Sequence, residues 1–214
     1  MEIVNSKIEN YLGNLYGKRH EVLKEMEGEA RRLDFPIVGP LVGKLLYQLA
    51  KMVDARRIFE MGSGYGYSAF WWASAMSDGS SGCNGGEIFL TEKSEENRKK
   101  GEAYLKRARL SKYARYSVGD ALEIIDGALG EFDIIFIDIE KRQYPVALEK
   151  AVKKIRRGGL LVVDNVLWSG KVVRKKGDLS TEAIKDFNQK LFSMEEFASS
   201  IVPVRDGVAV AFKL

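Results

Sequence analysis

Apolar residues in this chain come in two alternating rhythms. Unbroken runs such as Ile134-Ile135-Phe136-Ile137 and Leu160-Leu161-Val162-Val163 read as parallel strands buried on both faces. The pattern predicts strands over 56–60, 87–91, 114–118, 132–138 and 159–164. Between them, helices are predicted near 66–76, 94–109, 120–128 and 143–156. This alternation implies a right-handed, doubly wound, mostly parallel sheet. Ahead of it, residues 2–33 read as two polar amphipathic helices, the second marked by Val22, Met26, Ala30 and Leu33 at helical spacing. Phe35-Pro36 ends that helix, because the residue before proline avoids the helical region. A third helix follows over 39–53, with Leu41, Leu45, Leu46, Leu49 and Val53 on one face. After a last helix over 180–193, segments 199–204 and 208–212 read as a hairpin turning at Arg205-Asp206-Gly207.

Length and composition fit one α/β domain: 214 residues, 45% hydrophobic and 30% charged. The expected organisation is N-terminal helices over 1–53 packing on a core over 54–214. The Gly- and Ser-rich stretch 77–86 reads as a flexible connection with no catalytic role. It holds the single cysteine, Cys83, expected to be exposed and incidental. One cysteine allows no internal disulfide, which fits a reducing cytoplasm. No run of 18 apolar residues and no signal-type apolar segment is present, so a cytoplasmic, non-membrane protein is expected. A net charge of +4 permits an anionic partner without requiring one.

Candidate chemistry gathers at the predicted strand ends, where open α/β sheets bind ligands. The first strand runs into Glu60-Met61-Gly62-Ser63-Gly64-Tyr65-Gly66-Tyr67-Ser68. Dinucleotide sites favour G-x-G-x-x-G and a bare helix N-terminus. Here the spacing is G-x-G-x-G behind a carboxylate, which repels a diphosphate and suits a cationic ligand such as S-adenosylmethionine (SAM). A tight turn needed only for packing is the competing reading. Glu92 ends the second strand and could accept ribose hydroxyls, while Asp120 and Ala121 could meet an adenine. Asp138, Asp164 and Asn165 supply two carboxylates and an amide oxygen, a donor set for Mg²⁺, Mn²⁺ or Ca²⁺. With only one histidine, His20, no zinc cluster exists. Lys141 could project over the same site, where a divalent cation disfavours its protonated form and makes it a general base. Taken singly, these residues equally describe a turn, a helix cap and a surface lysine.

Five stretches together resemble the metal-dependent, catechol and caffeoyl-CoA type of class I SAM O-methyltransferases. They are Glu60-x-Gly-x-Gly-x-Gly-Tyr67-Ser68, Gly119-Asp120-Ala121-Leu122, Phe136-Ile137-Asp138-x-x-Lys141-x-x-Tyr144, Asp164-Asn165-Val166-Leu167-Trp168-x-Gly170 and Val202-Pro203-Val204-x-Asp206-Gly207. The resemblance implies a seven-stranded sheet with a C-terminal antiparallel hairpin and extra N-terminal helices. It implies that Val38, Glu60, Gly62, Gly64, Ser68, Glu92, Asp120, Ala121 and Asp138 bind SAM. By the same resemblance Asp138, Asp164 and Asn165 hold the divalent cation, Mg²⁺ before Mn²⁺ or Ca²⁺. Lys141 and Asp138 are then the catalytic pair, and Tyr144, Trp168 and Arg205 are substrate candidates, with core or lid packing as the other role for Tyr144 and Trp168. One departure is Ile139-Glu140 where the family often has Ala-Asp, which alters the cofactor-side wall. A homodimer is expected.

Two acceptors are open. One is a catechol-like or other small molecule with vicinal oxygens. The other is a hydroxylated wobble uridine of tRNA. Arg98, Lys99, Lys100, Lys106, Arg107, Arg109, Lys112 and Arg115, followed by Lys171, Arg174, Lys175 and Lys176, form an electrostatic footprint of the kind RNA uses. A non-catalytic SAM-binding protein is the third reading.

Overall fold

The computed structural model describes residues 3–78 and 85–214; Cys83 and most of the 77–86 connection lie outside the described residues. Helices α1 (Ser6–Leu15), α2 (Glu21–Leu33) and α3 (Gly39–Met52) precede the alternating part. That part runs β1 (Arg57–Met61), α4 (Tyr67–Ser77), β2 (Glu87–Glu92), α5 (Glu95–Arg107), β3 (Ala114–Val118), α6 (Ala121–Gly127), β4 (Phe132–Ile137), α7 (Tyr144–Val152) and β5 (Ile155–Val163). It closes with α8 (Leu179–Ser193), β6 (Phe197–Val202) and β7 (Val208–Lys213). The strands form one seven-stranded sheet in the order β3-β2-β1-β4-β5-β7-β6. Pairings among β1 to β5 are parallel, and β7 runs antiparallel to both β5 and β6. The expected architecture is therefore present, hairpin included.

Alternate side chains of each central strand enter two separate cores. Ile58, Ile134, Phe136, Leu160 and Val162 face α2, α3 and α4 with Met26, Leu46 and Trp72. Phe59, Ile135, Ile137, Leu161 and Val163 face α7 and α8 with Leu148, Ile184, Phe187 and Leu191. Burial on both faces explains why these strands carry unbroken apolar runs. No described helix is long and apolar enough to cross a membrane.

Three boundaries differ from the sequence reading. Helix α7 stops at Val152 rather than 156, and β5 starts at Ile155 rather than 159. The early part of β5 is polar, Arg156-Arg157-Gly158-Gly159, and its pairing with β4 shifts register between Phe132 and Ile134. Asp133 fastens this irregular corner by accepting the Arg56 and Arg57 backbone N–H groups, each at 2.7 Å, and Arg156 Nε at 2.5 Å. Strand β6 begins at Phe197, two residues early, because Phe197 packs into the second core.

The order reverses at β1, which has β2 on one side and β4 on the other. That switch point opens a crevice at the carboxyl ends of the strands. Across it, Asp138 N donates to Met61 O at 3.0 Å, and Gly62 lies against the Asp138 carbonyl. A Cβ on Gly62 would sit 2.2 Å from that oxygen, and its φ of +86° is a left-handed conformation. Gly62→Ala should therefore lower stability by about 2 kcal/mol or more. In a chain of this size that is a fall of roughly 4–8 °C in melting temperature, measurable by calorimetry; a shift under one degree would contradict this packing.

Candidate active site

The glycine loop is held from below. Ser63 N donates to Thr91 O at 2.9 Å, Gly62 N to Thr91 Oγ1 at 3.3 Å, and Thr91 Oγ1 to Glu60 O at 2.9 Å. Glu60 is wholly buried; its carboxylate accepts from Ser68 Oγ at 2.6 Å and from Trp72 Nε1 at 2.9 Å. Burial pushes its carboxyl up to about 8, against the two donors and with a smaller push from the charge of Asp138. Glu60 and Ser68 were expected to touch a cofactor directly. In the structure they bond to each other beneath the loop, because a buried carboxylate takes the nearest donors.

Beside the loop lies a cavity lined by Gly62, Thr91, Glu92, Gly119, Ala121 and Ile139, among others. Its volume is about 180 Å³. Glu92 reaches it with Oε1 fixed by Ser94 N at 2.8 Å and Asn97 Nδ2 at 3.4 Å. Its other oxygen has no hydrogen bond among the described residues. Ile139, the departure noted in the sequence, does form part of this wall. Of the nine expected cofactor residues only Gly62, Glu92 and Ala121 line it; Glu60 and Ser68 lie beneath the loop, Asp138 pairs with Lys141, and three more are engaged elsewhere. Asp120 caps α6 by accepting Leu122 N at 2.8 Å and pairs with Lys93 at 2.9 Å, which holds its carboxyl low. Val38 packs into the first core, and Gly64 lies against the Phe35 ring.

The acidic pair stands one strand over. Asp164 N donates to Ile137 O at 3.1 Å, so Asp138 and Asp164 extend adjacent strands. Asp164 is only 4% exposed, and Asn165, with φ of +60°, folds back so that its N–H donates to Asp164 Oδ1 at 2.8 Å. Burial, and then the charge of Asp138, raise the Asp164 carboxyl well above its ordinary range. Asp138 and Asp164 thus bring two carboxylates close together at adjacent strand tips. No cluster of three or more His, Cys, Asp or Glu exists among the described residues; the third oxygen of the expected set is the Asn165 amide. His20 is remote: its Nδ1 caps α2 by accepting Val22 N at 3.1 Å.

Lys141 joins these parts. Its Nζ donates to Asp138 Oδ1 at 2.9 Å, Tyr144 OH at 2.8 Å and Ile139 O at 3.2 Å. Tyr144 is 0% exposed and its hydroxyl donates to Asp164 O at 2.9 Å. It is therefore not a substrate-wall residue; its ring is packed on Phe187, and its hydroxyl ties Lys141 to the Asp164 strand. Trp168 has Lys141 Nζ 5.9 Å and Lys171 Nζ 4.9 Å from its ring centre, within cation–π range.

A larger cleft, about 990 Å³, opens from Asp164, Asn165, Ser169, Arg205 and Asp206 toward Phe35, Pro36 and Ile37. Arg205 Nη1 donates to Ile37 O at 2.7 Å, so this substrate candidate also pins the hairpin to the start of α3. Ser169 was not singled out from the sequence, and Asp206 only as a turn and motif residue. Asp206 sits in the hairpin turn, and its role emerges only when its carboxylate accepts Ser169 N. The basic run on α5 is largely neutralised: Arg98 pairs with Glu95 and Glu102, Lys99 with Glu95, Lys100 with Glu29 and Glu96, Arg107 with Glu25, and Arg115 with Glu87.

The switch-point crevice, the glycine loop and the acid pair define a transferase class, and comparison with known proteins agrees. The family model described as O-methyltransferase matches residues 14–214. The chain belongs to the O-methyltransferase family. It is 27% identical to catechol O-methyltransferase of Niastella koreensis, covering 95% of each chain. Against mouse catechol O-methyltransferase domain-containing protein 1 it is 28% identical over 80% of this chain, and spans 65% of that protein. Plant caffeoyl-CoA O-methyltransferases align over much the same span. The solved O-methyltransferase TomG of Streptomyces achromogenes, in complex with SAM, superposes with a TM-score of 0.85 at 26% identity, covering 97% of this chain and 96% of that one.

Two predictions follow from the buried groups. A carboxyl whose folded pKa lies above its unfolded value loses stabilising effect as pH rises between the two. For Glu60 that window runs from 4.5 to about 8. The urea midpoint of the wild type should fall between pH 5 and 8, and Glu60→Gln should flatten that fall; an equal slope in both proteins would remove Glu60 as its source. Tyr144→Phe removes two bonds to a buried hydroxyl, a cost of about 1–3 kcal/mol. It should also lower kcat more than it raises the KM of the methyl donor. Equal effects on both would reduce Tyr144 to a packing residue.

Proposed function

We propose that this chain is a SAM-dependent O-methyltransferase acting on a small acceptor with two neighbouring oxygens, with a divalent cation held by Asp138, Asp164 and Asn165. The observation that carries this reading is the junction of Lys141 with Asp138 at 2.9 Å, next to buried Asp164 and in backbone contact with the glycine loop. SAM-bound TomG, similar over nearly the whole chain, supports the choice of donor. SAM supplies the methyl group, and the cavity beside Glu92, Ala121 and Ile139 suits its nucleoside, with Glu92 accepting from the ribose. The cation supplies acidity to an acceptor hydroxyl.

The chain's own residues do the rest. Lys141, only 12% exposed at its side chain, would take the hydroxyl proton on Nζ after losing to solvent one of the three protons it donates in this structure. Tyr144 holds Nζ in place from the far side, so the amine cannot swing into solvent. Trp168 covers the lysine, and Asp206 with Ser169 fixes the loop that carries it. Their combined effect is alignment and exclusion of water. The catechol and caffeoyl-CoA O-methyltransferases among its relatives speak for catalysis over mere SAM binding.

The tRNA reading keeps one supporting observation: Arg174, Lys175 and Lys176 are exposed beside the site and have no ion-pair partner among the described residues. A salt-dependent gel shift with bulk tRNA tests it. For the main reading, EDTA should abolish methylation of catechol by the purified protein and Mg²⁺ should restore it. Lys141→Met should lower kcat about 10²- to 10⁴-fold while SAM binding, read by calorimetry, stays within a few-fold. Full turnover in chelator would refute the metal-assisted scheme.

A further inference from the structure

The cavity beside the glycine loop measures about 180 Å³, below the roughly 300–1,000 Å³ of sites that enclose a whole small ligand. It fits one part of SAM, and the unpaired Glu92 oxygen marks the place of the sugar. Another group has to read the base. Asp120 was expected to do so, but it does not line the cavity and is held by Leu122 N and Lys93.

Apart from Glu92, the polar side chains that line the cavity are Thr91, Lys93, Glu140 and Gln143. Three of these are engaged. Thr91 Oγ1 donates to Glu60 O and accepts from Gly62 N, Lys93 pairs with Asp120 at 2.9 Å, and Glu140 accepts from Arg142 Nε at 2.7 Å. Gln143 differs. Its Nε2 donates to Asp120 Oδ2 at 3.4 Å, and its Oε1 accepts no hydrogen bond among the described residues. Gln143 belongs to the turn between β4 and α7, and Asp120 follows β3; β2 and β1 lie between those strands in the sheet. Their contact therefore bridges the crevice that contains the cavity.

The bridge also fixes which way the amide faces. A carboxylate only accepts, so the atom turned toward Asp120 is the NH₂ group, and the oxygen is left for a ligand. An amide held in this way matches the edge of adenine: its oxygen accepts from the 6-amino group, and its second N–H donates to the neighbouring ring nitrogen. Against a 6-oxo purine the same amide sets oxygen against oxygen. It cannot turn over to suit that base without aiming Oε1 at the Asp120 carboxylate. Gly119, Ala121 and Ile139 supply an apolar part of the lining.

We propose that Gln143 selects adenine in the methyl donor, and that Asp120 is a positioning residue that sets the polarity of the Gln143 amide. This deepens the SAM reading above and rests on it.

Calorimetric binding of two ligands tests the proposal without any acceptor or turnover: S-adenosylhomocysteine and its 6-oxo analogue, S-inosylhomocysteine. The wild type should bind the adenosyl compound about tenfold to hundredfold more tightly. Gln143→Met keeps the length of the side chain and removes both amide groups. It should weaken the adenosyl compound about tenfold and bring the ratio of the two near one. Asp120→Asn offers Gln143 a donor as well as an acceptor, so it should tighten the inosyl compound and lower the ratio. Equal binding of the two ligands by the wild type, or a ratio that survives Gln143→Met, overturns the proposal and leaves the SAM reading standing. If neither ligand binds the wild type, the SAM reading falls and the proposal falls with it.

Discussion

The contact between Gly62 and the Asp138 carbonyl governs the geometry of everything around it. Two strands that neighbour each other in the sheet, β1 and β4, end at the same height, and their exits touch backbone to backbone. Only a residue without Cβ allows the approach, since the added carbon would fall 2.2 Å from the oxygen. The consequence is chemical as well as steric. The loop that fits a nucleoside and the first carboxylate of the acid pair become parts of one rigid unit. A methyl donor and an acceptor held at these two places share a frame whose dimensions are set by main-chain hydrogen bonds, not by mobile side chains. That is the condition for an alignment-driven transfer.

Electrostatics then divides the acids by depth. Glu60 lies beneath the loop and spends its oxygens on Ser68 and Trp72. Asp164 is buried beside Asp138, and the two charges oppose each other. Asp138 already has Lys141. Of the three, Asp164 has the fewest side-chain donors, with only a backbone N–H from Asn165 at its carboxylate among the described residues; the proposed cation would stand there. Lys141 and Tyr144 complete a short bridge between the strand tips, from Asp138 Oδ1 through Nζ and the phenol to Asp164 O. Through this bridge a displacement of Lys141 would be felt at Asp164, and the reverse.

Much of this was legible in the residue order. Unbroken apolar runs marked β4 and β5, and the acid that ends each strand marked the crevice. What stayed hidden was whatever depends on partners far along the chain. Tyr144 read as a substrate-wall or a packing residue; its burial follows from Phe187, more than forty positions away. The polar start of β5 gave no strand signal, since Asp133, Arg156 and two backbone N–H groups replace apolar packing there. The basic run on α5 reads as a row of like charges in the sequence; that Glu25 and Glu29 of α2 pair with Arg107 and Lys100 shows only in the fold. Asp120 reads as an adenine contact in the sequence; that it also caps α6 and pairs with Lys93 shows only in the fold.

The central claim is that oxygen donors on two adjacent strand tips form one divalent-cation site. Electron paramagnetic resonance of Mn²⁺ titrated into the protein tests it directly. The account predicts one bound Mn²⁺ per chain, displaced by Mg²⁺ and lost in Asp164→Ala. An absence of bound Mn²⁺ in the wild type, or a site that survives Asp164→Ala unchanged, would contradict it.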